Sequence, residues 1–394
     1  MSRAQRAPAA LRVLHVIESM VVGGAEAMVI EQVRHAAPGV ESLVCALNRG
    51  GVALEAAAAH GARTFLLAKS GQHAAGLLRL ARLMREERVT VVNGHNPTGG
   101  LYALPAARWA GVPVAFRTEH SVHYPGRHSR VYPILERVGT ALADGVICVC
   151  QAALESHAPR MRWAASRFVS IPNGVSDYRP ARSRAELREA LGLTPETCAI
   201  LTVGSLTRQK AYHVLIDAFA IVARAHPNPW LLIAGDGPLK GSLEARAAAA
   251  GVADRIRWLG PRTDVGDLVH AADLFTLSSE REGLSISLLE AMRGSRAAVV
   301  TRVGGSAEAL VEGESGHLVP PHDPVALGQA LARLALDPSR REAFGRAGRE
   351  RWSLRFTAER MVRDTEALYR AALARRGHAA GAVPSQARRA HAAS

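Results

Sequence analysis

Short apolar runs rich in β-branched residues recur along the chain, each separated from the next by enough residues for a helix or a turn: 11–17 (LRVLHVI), 42–47, 63–68, 89–93, 112–118 and 146–150. That alternation predicts βαβ units. It pauses over 171–180 (IPNGVSDYRP), which carries Pro172, Asn173, Gly174 and Pro180, and then restarts at 199–204, 230–235, 255–260, 274–277 and 297–301. Because most of these runs are continuously apolar rather than alternating, both faces of each sheet must be covered, so two doubly wound parallel sheets are expected. The pattern divides the chain into a first α/β domain over 11–175 and a second over 176–375, with 172–182 as the linker about which they would close. The second domain ends in helices, since Phe344, Trp352, Leu354, Phe356, Met361, Leu368 and Tyr369 fall at helical spacing. Residues 1–10 and 376–394 show no periodicity and read as disordered tails.

With 394 residues, 48% of them hydrophobic, the chain can bury two cores. No apolar run reaches the roughly 18 to 20 residues that span a bilayer, and the start (MSRAQRAPAALRVLHVI) has an arginine inside its apolar segment and no cleavage site. The expectation is therefore a cytoplasmic protein. Four cysteines, Cys45, Cys148, Cys150 and Cys198, sit in strand-like contexts and read as reduced, buried thiols. Cys148 and Cys150 share one strand face, yet no second ligand pair follows them, so no metal site is assigned. Net charge is +14, almost all from arginine, with lysine only at positions 69, 210 and 240. A basic balance suits nucleic acid, anionic lipid or phosphorylated small molecules. With 5% aromatic residues and no reader motif, nucleic acid is excluded as a partner.

Ligands of doubly wound sheets bind at the carboxyl ends of the strands, so the informative residues should follow strands. In SSEREGLSISLLEAM (278–292), Glu282 lies in the loop after a strand, and Glu290 lies within a helix expected over Ser285 to Arg293. The backbone N–H groups of Gly283, Leu284 and Ser285 at that helix start form a diphosphate seat. Carboxylates repel phosphate, so Glu282 and Glu290 should accept hydrogen bonds from hydroxyls. In isolation, the two glutamates are equally an exposed loop residue and a helix-surface residue.

The pair resembles the E-x7-E signature of the retaining family 4 glycosyltransferases of the GT-B fold, in which two Rossmann-like domains face a cleft. The segment 297–327, with its strand, GG-x-x-E turn, hairpin and Pro-Asp stretch, and the segments 233–252 and 255–280 match that family in order. The resemblance implies that Glu282 holds the donor sugar and Glu290 the ribose, while Lys210 in LTVGSLTRQKAYHVLIDAF (201–219) neutralises the donor diphosphate. Ser205 stands where the family often has arginine, so Arg208 is the candidate substitute cation. Gly235, at the end of its strand, and Arg262, in the stretch from Gly260 that would face the base, complete the donor set.

In the first domain HVIESMVVGGAEAMVIEQV (15–33) is a strand, a turn with Gly23 and Gly24, and a helix with Glu26 early in it. The two glycines would let backbone approach the donor closely, or would simply form a strand-to-helix turn. By resemblance, His120 reaches the reacting sugar as a catalytic residue with Lys210 and Glu282. His95 and His15 are weaker candidates, and Glu119 or His123 could touch the acceptor. The helix over 73–89 interleaves leucines with Arg79, Arg82, Arg85 and Arg88, which suits either a sheet-covering helix or peripheral contact with an anionic membrane.

The resemblance as a whole implies a metal-independent, retaining, hexosyltransferase-type enzyme with no cofactor. It would take a UDP- or GDP-linked sugar to a lipid-linked or glycan acceptor in exopolysaccharide or lipopolysaccharide assembly, at the inner face of the membrane. A catalytically inactive nucleotide-sugar-binding partner and a GT-B sugar-nucleotide epimerase are the alternatives.

Overall fold

The computed structural model describes residues 11–21, 23–69, 71, 73–122 and 132–381. All the apolar runs form strands. The first sheet contains β1 (Leu11–Ser19), β2 (Val40–Arg49), β3 (Arg63–Leu66), β4 (Val91–His95), β5 (Val114–Glu119), β6 (Gly145–Cys148) and β7 (Phe168–Ser170), in the order β3-β2-β1-β4-β5-β6-β7. The second contains β8 (Cys198–Val203), β9 (Pro229–Ala234), β10 (Ile256–Gly260), β11 (Leu274–Leu277), β12 (Ala297–Thr301) and β13 (Gly316–Val319), in the order β10-β9-β8-β11-β12-β13. Neighbouring strands pair in parallel, for example Val13 with Val91 and Leu274 with Ile200. Each sheet reverses its winding once, between β1 and β4 and between β8 and β11, and these are the switch points at which such sheets bind ligands. The architecture is the expected pair of Rossmann-like parallel sheets of the GT-B fold.

Two short edge strands escape the sequence pattern. β7 spans three residues, too few for a period to show. β13 was expected within a hairpin, but a tight turn after Glu312 leads instead into a strand parallel to β12, with Val299 opposite His317.

The cores follow from the strand pattern. In the second sheet Ile200, Leu231, Ile233, Leu274 and Val299 face Leu215, Phe219, Leu327, Leu331 and Phe344 from the covering helices. Phe219 is fully buried, and a side chain of that size contributes about 1.5–3 kcal/mol by leaving water. In the first sheet Ile17, Val44 and Ala46 pack with Val29, Val33 and Ala53. The helix His73–Glu86 turns Leu80, Ala81 and Met84 inward and leaves Arg79, Arg82 and Arg85 exposed, so it covers the sheet as an ordinary amphipathic helix. All four cysteines are buried free thiols. Burial pushes those of Cys45, Cys150 and Cys198 up to about 12. Among the described residues no group of three or more His, Cys, Asp or Glu could hold a metal ion, and no helix is long and apolar enough to cross a membrane.

Contacts divide the chain differently from the 175/176 boundary. One unit comprises residues 1–118, 128–147 and 362–394, and the other 119–127 and 148–361. Residues 172–182 therefore group with the second unit. Val175 N–H donates to Phe356 O at 3.0 Å, the Arg293 guanidinium donates to Ser176 O at 3.0 Å, and Arg349 forms an ion pair with Asp177 at 2.8 Å. These long-range bonds leave no sequence signal. The last helix, Ala358–Gly381, runs through residues read as the start of a disordered tail. From Val362 onward it belongs to the first unit, because Tyr369 packs against Phe116 with ring centroids 5.2 Å apart and accepts a hydrogen bond from Asn93 Nδ2 at 2.8 Å. The rest of the two expected tails, residues 1–10 and 382–394, lies outside the described residues.

Within the first sheet, His15 and His95 form a buried pair, His15 Nδ1 to His95 Nε2 at 3.0 Å. Burial lowers the His15 pKa from 6.5 to about 4. Between those values the unfolded chain binds the extra proton, so this stabilising contribution is fully present above pH ~6.5 and is lost as pH falls through ~4, by at most about 3 kcal/mol. Urea titrations at pH 7 and pH 4.5 are expected to show that loss, and His15→Leu should make the pH slope shallower. An unchanged slope in the variant would remove His15 from the account.

Candidate active site in the second unit

The two loops that flank the second switch point carry the strongest sequence candidates. Lys210 closes a short helical turn, Arg208–Lys210, that follows β8, and Glu282 lies in the loop after β11. The structure joins them, with Lys210 Nζ 2.6 Å from Glu282 Oε1 and Ser279 Oγ donating to the same oxygen at 2.6 Å. Both charged side chains are largely buried, at 17% and 8% exposure, so the pair is screened far less than a surface ion pair.

Local bonds explain the alignment. Ser278 Oγ donates to Lys210 O at 2.8 Å, Glu280 N–H to Gln209 O at 2.8 Å, and Gln209 Nε2 to Arg281 O at 3.0 Å, stitching one loop to the other. The lysine stem runs along the ends of β8 and β9. There a Cβ on Gly204 would come within 3.2 Å of Lys210 Cε, and one on Gly235 within 2.0 Å of Gly204 O. Gly235 also has φ +147, and its missing side chain lets its backbone pack against Gly204.

The helix forms over Ile286–Arg293, one residue later than expected, because Ser285 is its N-cap and accepts from Leu288 N–H. Ser285 Oγ also meets Ser287 Oγ at 3.1 Å, and Ser287 donates to Val203 O at 3.1 Å, anchoring the helix start to β8. Among the described residues no protein acceptor takes the N–H of Gly283, Leu284 or Ser285. Three amide donors thus remain available beside an ammonium, an arrangement that suits an anion. Glu290 lies partly exposed on the same helix.

Three residues that the sequence did not single out for this site hold the loop in place. Asn173 Nδ2 donates to Leu284 O at 3.0 Å. Gly305 N–H donates to Gly283 O at 2.7 Å, and Gly304 lies against Glu282, where a Cβ would fall 2.0 Å from Glu282 O. Glu308, the acid of the GG-x-x-E turn, accepts from the N–H groups of Gln151 and Ala152, each at 2.8 Å, and so caps the helix Gln151–His157. The motif was visible, but its partners lie more than 150 positions away.

His120 groups with this unit, and its carbonyl abuts Gly283, whose absent Cβ would lie 2.1 Å from His120 O. Burial lowers the imidazole pKa to about 4 against the opposing pull of Glu119, so the ring is neutral at pH 7 and can exchange hydrogen bonds without carrying charge. Ser205 and Arg208 are exposed on the rim, and among the described residues Arg208 has no carboxylate partner. Arg262 does not stand open, because it is held bidentately by Asp264 at 2.7 and 2.5 Å. Gly23 and Gly24 belong to the first unit, at the turn into the helix Gly24–Arg34, where a Cβ on Gly23 would clash with Glu26. His123 lies outside the described residues.

Known proteins share this plan. Residues 22–179 match the family described as Glycosyltransferase Family 4, and residues 183–351 match Glycosyl transferases group 1. The chain belongs to the family 4 glycosyltransferases. It is 28% identical, over 66% of its length and 70% of the relative's, to the UDP-Gal:α-D-GlcNAc-diphosphoundecaprenol α-1,3-galactosyltransferase of Escherichia coli. It is 30% identical to the lipopolysaccharide core biosynthesis mannosyltransferase LpsB of Rhizobium meliloti, over 51% of this chain and 62% of that one. The fold is that of Anabaena Alr3699/HepE, solved in complex with UDP, at TM-score 0.79 and 21% identity over 92% of this chain and all of that one. The protein is a glycosyltransferase of polysaccharide or glycolipid biosynthesis that uses a nucleotide-sugar donor.

Proposed function

We propose that the chain is a retaining hexosyltransferase that moves a sugar from a UDP- or GDP-linked donor to a lipid-linked or glycan acceptor in exopolysaccharide or lipopolysaccharide assembly, at the cytoplasmic face of a membrane. The observation that carries the reading is the ammonium of Lys210, held 2.6 Å from Glu282 beside three available amide donors at the second switch point. A donor diphosphate there would share the ammonium with Glu282 and take hydrogen bonds from Gly283 to Ser285. Glu282 would then accept from a sugar hydroxyl and Glu290 from the ribose, with Ser205, Gly235 and Arg262 bordering the donor.

In the reaction the bond from the anomeric carbon to the diphosphate oxygen breaks and its electron pair stays on the diphosphate. The acceptor hydroxyl oxygen bonds to the anomeric carbon on the same face, and its proton passes to the departing phosphate oxygen. Lys210, Arg208 and the amides stabilise the charge that develops on the leaving group. The neutral imidazole of His120 supplies a hydrogen bond to the sugar without adding positive charge beside an oxocarbenium-like carbon. Because cationic side chains and amides supply the neutralisation, turnover should need no divalent metal.

Calorimetry with UDP and GDP in EDTA tests the donor half. One nucleotide is expected to bind, and Glu290→Ala should weaken it about tenfold, the cost of losing a hydrogen bond to a charged acceptor. Binding that ignores Glu290 removes it from the ribose position. Proton NMR of the glycoside formed from a sugar-nucleotide of known anomer tests retention, and an inverted product overturns the mechanism. Nucleotide binding without any transfer across an acceptor panel would mark the inactive partner.

A further inference from the structure

The first unit holds a cationic cluster that the donor chemistry does not use. Lys69, one of three lysines in the chain, follows β3, its N–H bonded to Leu47 O at 3.0 Å. Only 7% of the residue is exposed. Its ammonium lies 4.8 Å from the centroid of the Tyr102 ring, and its stem packs where Gly76 lacks a side chain, a Cβ there falling 3.3 Å from Lys69 Cβ. The hydroxyl of the equally buried Tyr102 pairs with His73 Nδ1. Among the described residues no carboxylate, hydroxyl or carbonyl accepts from the Lys69 ammonium.

Most of this lysine is out of water, and the aromatic face beside its ammonium recovers only a small part of the hydration that the charge loses. Such a position is best explained by a ligand of opposite charge. Its location agrees. Lys69 follows β3, His73 opens the helix His73–Glu86, and Tyr102 lies on the helix Asn96–Ala110 that follows β4, so all three stand at the carboxyl edge of the first sheet, where ligands of this architecture bind. The first turn of His73–Glu86 has no acidic residue, and its backbone dipoles add to the positive field.

We propose that Lys69, His73 and Tyr102 form the site for a phosphate or diphosphate group of the acceptor. The ammonium supplies the charge, and the hydrogen-bonded phenol–imidazole pair has one proton left to donate to the group and orient it. This rests on the reading of the chain as a transferase with an acceptor, and it concerns the first unit alone.

Inorganic pyrophosphate is the soluble probe, titrated by calorimetry into the full-length wild type, Lys69→Met and Lys210→Ala. Two binding events are expected in the wild type. Lys69→Met, which keeps the length and packing of the side chain, should weaken one about tenfold or more, and Lys210→Ala should weaken the other. Should Lys69→Met leave both unchanged, the inference is overturned while the donor reading stands. Loss in Lys69→Met with no effect of Lys210→Ala upholds the inference and overturns the donor reading.

A parallel arm uses phosphatidylcholine vesicles with and without a polyprenyl phosphate. Lys69-dependent capture by the doped vesicles supports a lipid-borne phosphate, and Lys69-dependence for pyrophosphate alone supports a soluble phosphorylated acceptor. Thermal unfolding supplies a second readout, since a lysine retained for binding predicts a higher midpoint in Lys69→Met. A lower midpoint with unchanged anion binding would assign the lysine a structural role and overturn the proposal. If Lys69→Met does not fold, Tyr102→Phe, which keeps the ring, should weaken pyrophosphate severalfold, and no change there also overturns it.

Discussion

Lys210→Ala is expected to lower kcat/KM by about 10²–10³-fold, the usual cost of removing one preorganised group that faces developing charge. The side chain is only 17% exposed, so water cannot replace the ammonium at full strength. The variant also leaves the Glu282 carboxylate with Ser279 in place of an ion pair, which adds an uncompensated negative charge where a diphosphate must sit. Arginine should not rescue, because the lysine stem fills the space left by the missing side chain of Gly204, where a Cβ would lie 3.2 Å from Lys210 Cε, and the wider guanidinium has no room to turn there. Steady-state kinetics with the natural donor, read beside thermal unfolding, check this. A loss smaller than about threefold in a folded variant would place the leaving group elsewhere. Because Lys210 and Glu282 share one bond, Lys210→Ala combined with Glu282→Gln should cost less than the sum of the two single changes.

Gly304→Ala should inactivate the enzyme without any change to a group that touches substrate. Gly304 has φ +50, a left-handed conformation that alanine adopts only with strain. Its new methyl would also fall 2.0 Å from Glu282 O and 2.9 Å from Gly283 O. Backbone carbonyls cannot rotate out of the way, so the Glu282 loop must shift. The overpacking should lower stability by about 1–3 kcal/mol, and a displacement near 1 Å at Glu282 should lower turnover by roughly 100-fold. Gly313→Ala is the matched control. It has φ +74 but nothing within 4 Å of the added carbon, so it should show a stability loss of about 1 kcal/mol and normal turnover. Equal activity losses in the two variants would show that strain, rather than loop position, is responsible.

The local half of this architecture was legible before any coordinates. Continuous apolar runs mark strands that are covered on both faces, and the positions of Lys210 and Glu282 after two of those runs put them at strand ends. What pairing adds could not be seen. That β8 and β11 are neighbours, and hence that Lys210 meets Glu282 across 72 positions, depends on strand order, which no local pattern encodes. The same limit explains Asn173. Its Asn-Gly context reads as a turn in a linker, yet its amide holds Leu284 O from 111 positions away. Arg262 was expected to face the base, and no local pattern shows that Asp264 engages it, since that side chain could have turned either way. Tyr369 carried a helical period without any sign of which sheet it would meet.

The destination of that last helix bears on the order in which the protein can be made. A ribosome releases residues 11–118 and 128–147 early, but their sheet lacks the Tyr369 ring against Phe116 and the phenol that satisfies Asn93 until residues 362–381 emerge. The second unit, whose residues 148–361 are nearly contiguous, is complete before that point. The half synthesised first is thus the half finished last, and until the final helix arrives it holds an apolar slot open, with the Asn93 amide bonded to Thr118 alone, to whatever else the cell offers.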